Sequence, residues 1–514
     1  MKLLAGLIVG AIVYRFLMWD EALGLNAFIF AVLITGAVFA YREELRHQKL
    51  LWMLAGAFIV SAAGVVVTGI LFSHIIYYLT LIVFLAFVQV PALRSPWVAL
   101  VLFPYHSAIA IWKDFNMVGN ALSELFDRRT HKPRRIPVKW WQVVIIGTAA
   151  MVFVGLFSMA SPAFADIISR FWHACCDALQ WIIPDLSFLE IIHFLFVIYF
   201  LSLFFIRFKH NLIIDEDLRA SDILLRIRSR QYTPFLRTGL KSEYQAAVAG
   251  MIVIGALLLT LNILDIRSVW VAIAPDSAPE LSHFVHQGTY ALIASVILSI
   301  SLLLFCFRKN LNFYPRNTLL KAIACSWVGQ NIFLIVSTAL RNWHYVSEYG
   351  LTYRRIGVFI FLLMTGAALL LMLLKIQRRT TLYHFFRMSL FSSLGLLALA
   401  ALINWDVLIA SYNTTCIEKE PDYAYLRLLS CQAAPYIPAS PDEIDKTASP
   451  DATDEWDETD ETDEWDEWDE TSHYRYLAKV RKYIERVDSR GWKSYNFGDD
   501  VAVGKLKQRL NSTH

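Results

Sequence analysis

The chain has 514 residues, of which 57% are hydrophobic and only 18% charged, and its mean hydropathy is +0.47. The apolar residues come in long blocks, which excludes an ordinary soluble domain and points to an all-α, polytopic transmembrane helical bundle. The net charge of +3 hides two opposed parts, because residues 454–471 alone carry twelve Asp and Glu. The basic excess elsewhere is of the kind that cytoplasmic loops carry, so no nucleic-acid partner is expected.

A helical span needs about 20 mostly apolar residues. In chain order such runs fall at roughly 2–18, 24–41, 50–71, 75–92, 140–160, 186–206, 245–264, 286–307, 320–340, 356–375 and 388–405, about eleven in all (range 10–12). Lys2 followed by apolar residues resembles a signal peptide, but Arg15 interrupts the run and no small-x-small site follows, so a retained helix is expected. Residues 96–112 (PWVALVLFPYHSAIAIW) are interrupted by Pro104, Tyr105 and His106 and read as a re-entrant or interfacial segment.

Orientation follows from Lys and Arg near the span ends. With the N-terminus inside, the inside loops hold 28 of these residues; the outside loops hold five: Arg170, Arg267, Arg341, Arg354 and Arg355. The expected arrangement is therefore a cytoplasmic N-terminus and an extracytoplasmic C-terminal tail.

Three regions are expected: 1–135 with four spans and the interrupted run, 136–410 with seven spans, and a tail over 411–514. Within the tail, 421–434 and 472–490 read as short amphipathic helices. Between them the run DEW-DET-DET-DEW-DEW-DET repels itself and reads as a disordered spacer, with a divalent-cation or basic-partner role as the alternative. Cys416 and Cys431 share the tail, where a bridge and two free thiols are both open; adjacent Cys175 and Cys176 read as buried thiols. The loop 207–242 alternates apolar and basic residues, either lying on the inner leaflet or simply joining two helices.

Polar residues inside spans usually face a bundle interior. In 320–340, Ser326, Gln330, Ser337 and the following Arg341 lie within about 60° of one another on a helical wheel, a polar stripe beside Asn331. Asn262 and Asp265 end one span, His283, His286 and Tyr290 open the next, and Asn404 and Asp406 end the last. The loop RNWHYVSEYGLTYRR (341–355) brings three arginines to the same side, with Tyr349-Gly350-Leu351-Thr352 as a turn and Thr352 as a helix cap.

Three readings of this mouth stand side by side. Arginines beside tyrosines suit an anionic headgroup or sugar phosphate. His283, His286, His344 and Glu348 offer a weak metal pattern. Asp265, Glu348 and Asp406 alternatively pair with the arginines and lock the bundle. The candidate ligand site is Asp265, His286, Gln330, Asn331, Arg341, Tyr349, Arg354, Arg355 and Asp406. No nucleophile elbow, zinc-protease helix, Walker loop or dinucleotide fingerprint occurs, so no catalytic set, resident metal or cofactor is expected.

The segments FVHQGTY (284–290), LNFY (311–314), WVGQN (327–331), STALRN (337–342), YGLTYRRIGV (349–358) and NWDVLIASYN (404–413) resemble a bacterial integral-membrane family, domain of unknown function 4173, related to the 4153 group. The resemblance covers about 240–435, including Asp422, Tyr425, Leu426 and Leu429; the closing GWKSYNFGDD (491–500) is similar to the family's ending. It implies a bacterial inner-membrane protein without an established activity. Three functions are expected to compete: binding or moving an anionic, lipid-like or small solute at the external mouth, a sensor or scaffold whose tail recruits a protein, and an intramembrane transferase. The lipid bilayer is the expected surrounding partner in each.

Overall fold

In the computed structural model every named regular element is helical, and the described residues add one isolated bridge, Ile223 with Thr380. The structure describes residues 2–127, 150–171 apart from 152 and 160, 188–208, 212–226, 240–271, 293–417 apart from 308 and 316, 421–437 and 470–511. The acidic run up to Asp469, Cys175, Cys176 and His283 to Tyr290 lie outside these residues.

The first helices are α1 (Lys2–Met18), α2 (Leu25–Tyr41), α3 (Lys49–Thr68), α4 (Leu71–Gln89) and α5 (Pro96–Asp127). They are followed by α6 (Phe188–Ser202), α7 (Leu212–Arg219), α8 (Leu240–Asp265) and α9 (Ile293–Cys306). Next come α10 (Thr318–Tyr349), α11 (Tyr353–Arg378), α12 (Leu382–Ala400) and α13 (Trp405–Thr415). The tail adds α14 (Tyr423–Leu428), α15 (Glu470–Asp488) and α16 (Phe497–Asn511).

Six of the described helices (α3, α4, α8, α10, α11 and α12) are long and apolar enough to cross a membrane, and five shorter apolar helices accompany them. The outer wall carries exposed large apolar side chains, for example Ile8, Val9, Ile12, Val13 and Phe16 along α1. A surface of that kind suits hydrocarbon rather than water.

The chain does not break at Pro104. α5 runs from Pro96 through this residue. Proline removes one intrahelical hydrogen bond, a loss that neighbouring helices in an apolar bundle can absorb.

The buried apolar residues form two large cores. One joins α1 to α7 and includes Leu394 of α12; the other joins α8 to α11 and includes Phe385 of α12. Helix α12 therefore touches both.

A third core sits at one end, where Val346, Ile356 and Ile409 meet Leu426, Leu477 and Leu506 of the tail. The expected 421–434 helix is instead the six-residue α14 and a 3-10 turn, Cys431–Tyr436, with extended Leu429 and Ser430 between them. Asp406 explains the break, because its Oδ2 accepts the Ser430 N–H at 3.3 Å and draws that residue out of helical geometry. Cys416 is exposed and Cys431 buried, and both are free thiols.

The tail is folded onto the bundle over its described residues. Asn496 donates to Val65 O at the end of α3, and Leu25 N, opening α2, donates to Tyr495 O at 2.9 Å. Glu21 accepts from Ser494 Oγ and pairs with Lys493. Gln432 bonds Asn404, Asn496 and Asp499. Gly69 takes φ +59° there, and any Cβ on it would collide with the Asn496 amide.

The opposite end has its own polar belt. Asp222 pairs with Arg94 and Arg387, and Asp217 accepts from Arg94 N at 2.8 Å and from Tyr383 Oη at 2.7 Å. Glu44 pairs with Arg42 and Arg207. Within the described part of 207–242, then, two acidic residues of a mostly basic loop hold the neighbouring connections.

Candidate functional site

The candidate residues fall into three separate groups at the tail end of the bundle. The innermost lies between α8 and α10. Asp265 is the last residue of α8 and only 2% exposed. Ser337 and Arg341, four apart and so on one face of α10, both reach it: Ser337 Oγ donates to Oδ2 at 2.6 Å, and the Arg341 guanidinium pairs with Oδ1. Both carboxylate oxygens are thus engaged, which a charge removed from water requires.

One turn back along α8, Asn262 donates to the backbone carbonyl of Gln330 at 3.2 Å. Asn331, fully buried, donates to Trp327 O at 2.9 Å. Four buried polar atoms in this stretch have no hydrogen-bond partner among the described residues: Asn262 Oδ1, Gln330 Oε1, Asn331 Oδ1 and Trp327 Nε1. Native proteins satisfy nearly all such groups, so a run of four calls for an explanation. The predicted stripe is shorter than its angular spacing implies. Ser326 is exposed, whereas Ser337 and Arg341 are buried.

The second group is the turn between α10 and α11. Gly350 has φ +83°, and a Cβ there would lie 2.8 Å from Asn413 Oδ1. Asn413 clasps Leu351, accepting from its N–H and donating to its carbonyl at 3.0 Å. Thr352 caps α11 by accepting from Arg355 N, as expected. The Arg355 guanidinium bonds the carbonyls of Tyr349 and Gly350 and lies 4.2 Å from the ring centre of Tyr345. Arg355 is therefore committed to the C-terminal carbonyls of α10, where a cation is favoured. Arg354 is exposed.

The third group ties the tail to α11. Asp406 accepts from Tyr353 Oη at 2.6 Å and from Ser430 N. Asn404 is the N-cap of α13, accepting from Val407 N at 3.1 Å, and also reaches Gln432. His286, with its companions His283 and Tyr290, falls outside the described residues. Among the described residues no group of three His, Cys, Asp or Glu could hold a metal ion.

The structure thus brings Asp265, Gln330 and Arg341 to one helix seam, with Asn331 buried and bonded within α10, while Tyr349, Arg355 and Asp406 belong to the turn and tail contacts. Trp327 stands in the motif WVGQN, but a tryptophan in an apolar helix has the same signature as ordinary core. Asn496 and Asp499 fall inside the closing GWKSYNFGDD and Gln432 in no motif, and nothing in the sequence marks their roles. Their types are common in soluble segments, and their partners lie in distant parts of the chain.

Searches of curated proteins and of solved structures each return no match. A family model does match, over residues 4–439, which is most of the chain and begins far upstream of the motifs at 284–413. The likeness to the 4173 family rests on those motifs alone, and the closing GWKSYNFGDD lies beyond the matched region. By the extent of that match, the chain belongs to the family described as Domain of unknown function (DUF4153).

Proposed function

We propose that this protein spans a bacterial cytoplasmic membrane about eleven times, N-terminus inside and tail outside, and binds a small polar solute in the α8–α10 seam. The apolar helices support a membrane protein, and the 28-to-5 distribution of basic residues supports the orientation. The observation that carries the solute reading is that the amide oxygens of Asn262, Gln330 and Asn331 and the indole N–H of Trp327 have no hydrogen-bond partner among the described residues. Asn262 and Gln330 meet where α8 contacts α10, Asn331 and Trp327 are buried within a turn of Gln330, and polar groups kept at such cost inside an apolar bundle mark binding sites and pathways.

This seam favours a hydrogen-bonding solute over the anionic headgroup that the arginine-rich loop suggests. Arg341 and Arg355 already serve protein acceptors, which leaves Arg354 as the exposed guanidinium of the three. The scaffold reading is weakened by the tail's own attachment at Val65, Leu25 and Glu21.

The test is the N262L/N331L variant purified in lipid nanodiscs. Small molecules released from wild type on denaturation are identified by mass spectrometry, with the melting temperature measured in parallel. If the amides hold a solute, the variant loses a polar compound that wild type releases, and it melts at the same temperature or higher. Retention of every released compound together with a lower melting temperature would instead assign the amides to helix packing.

A further inference from the structure

The segment from Trp492 to Asp499 is patterned the wrong way round for a water-facing tail. Its polar residues turn inward: Ser494, Asn496 and Asp499 are buried, and each has a hydrogen-bond partner. Its aromatic residues turn outward, with Trp492 56%, Tyr495 39% and Phe497 53% exposed. In water this alternation would be reversed.

The outward aromatics are continuous with the apolar wall of the bundle. The Trp492 ring centre lies 6.4 Å from that of Phe16, which is itself exposed on α1. The Lys493 ammonium sits 4.3 Å from the Phe16 ring centre while pairing with Glu21 at 3.4 Å. A Cβ on Gly498 would lie 3.0 Å from Val67 O, which places Phe497 beside the last turn of α3. Tryptophan and tyrosine with a neighbouring lysine, at the ends of apolar helices, are the residues that settle at the boundary between acyl chains and headgroups.

We infer that residues 492–497 form a collar that rests in the headgroup region of the bilayer, with Trp492, Tyr495 and Phe497 as its lipid contacts. The occupant of this patch is the phospholipid leaflet that surrounds the tail end of α1 and α3. A protein partner is the competing occupant, disfavoured by the unbroken passage from Trp492 to the α1 wall. The inference rests on the chain spanning a membrane and is independent of the solute seam.

The test uses the full chain in phospholipid nanodiscs with photoactivatable diazirine lipids of two kinds, one probe close to the glycerol and one at the end of the acyl chain. The shallow probe is expected to leave adducts on the peptides holding Trp492, Tyr495 and Phe497, as on that holding Phe16, and the deep probe to leave none on 492–497. Adducts on Phe16 with none on 492–497 would overturn the collar while leaving the membrane assignment intact. Absence of adducts on both would overturn the membrane placement itself.

Discussion

Asn496 donates its side-chain amide to the backbone carbonyl of Val65 at 2.6 Å, across 431 positions of sequence. The acceptor belongs to the last turn of α3, where it also takes the N–H of the cap residue Gly69 at 3.0 Å. The donor comes from a segment beyond the region matched by the family model. This bond, with those of Tyr495 and Glu21, makes the tail a structural lid on the helix ends.

Replacing Asn496 by Leu should therefore weaken the whole bundle. The change removes one of two donors to Val65 O and one of three side-chain partners of Gln432, at about 0.5–1.5 kcal/mol for each lost hydrogen bond. Gly69→Ala is expected to act at the same contact, by a steric clash and by its left-handed backbone. Melting temperatures in nanodiscs check both, and an unchanged value for N496L would mean that the tail is not docked.

Asp265→Ala should be among the most damaging single changes in the membrane region. It leaves the Arg341 guanidinium buried without its carboxylate, and breaking a buried pair in this manner costs about 3–5 kcal/mol. The D265L/R341M double variant should regain much of that loss, because desolvation is then avoided on both sides. A double-mutant cycle on unfolding in mild detergent reads the coupling, and simple additivity would show that the two residues do not act as a pair.

Part of this site was legible in sequence. Ser337 and Arg341 stand four apart on a helix, and Asp265 ends an apolar run, so each was identifiable as buried and polar. Their meeting was not, because it depends on how α8 crosses α10, which no local pattern encodes. Asn404 and Asp406 were visible as polar residues ending a span, yet one caps α13 and the other holds the tail. The docking of α15 had a faint signal in Tyr476, Leu477, Val480 and Tyr483, which share one helical face and are all buried. That spacing identifies an amphipathic helix but not the surface it covers.

Asp222→Ala should loosen the opposite end without touching the tail. Its carboxylate joins Arg94, between α4 and α5, to Arg387 of α12, and so ties the first core to the helix that touches both. These groups are about a third exposed or less, so a cost of about 1–2 kcal/mol is expected, below that at Asp265, because solvent screens the pair. Hydrogen exchange should rise at 217–224 and 379–387 and stay unchanged at 492–499. A rise confined to 492–499 would place Asp222 in the wrong network.

Cys416 and Cys431 should differ sharply toward a water-soluble maleimide. Cys416 is exposed, whereas Cys431 is buried, and that burial pushes its thiol above the ordinary cysteine value. At neutral pH wild type should take one label rapidly at Cys416 and none at Cys431 until the tail is released, as in N496L. The linkage has a definite sign. A raised folded-state value means that the folded chain holds its proton more tightly, so stability is intact below the unfolded thiol value of about 8.5. It is lost as pH rises through the folded value. Tyr483 adds to the same trend at higher pH, since burial and its bond to Asp499 raise its phenol too. Tail release, read by Cys431 labelling, should thus become easier at alkaline pH and not at acidic pH from this pair. Equal labelling of both cysteines at neutral pH would refute the docked position of 431–436.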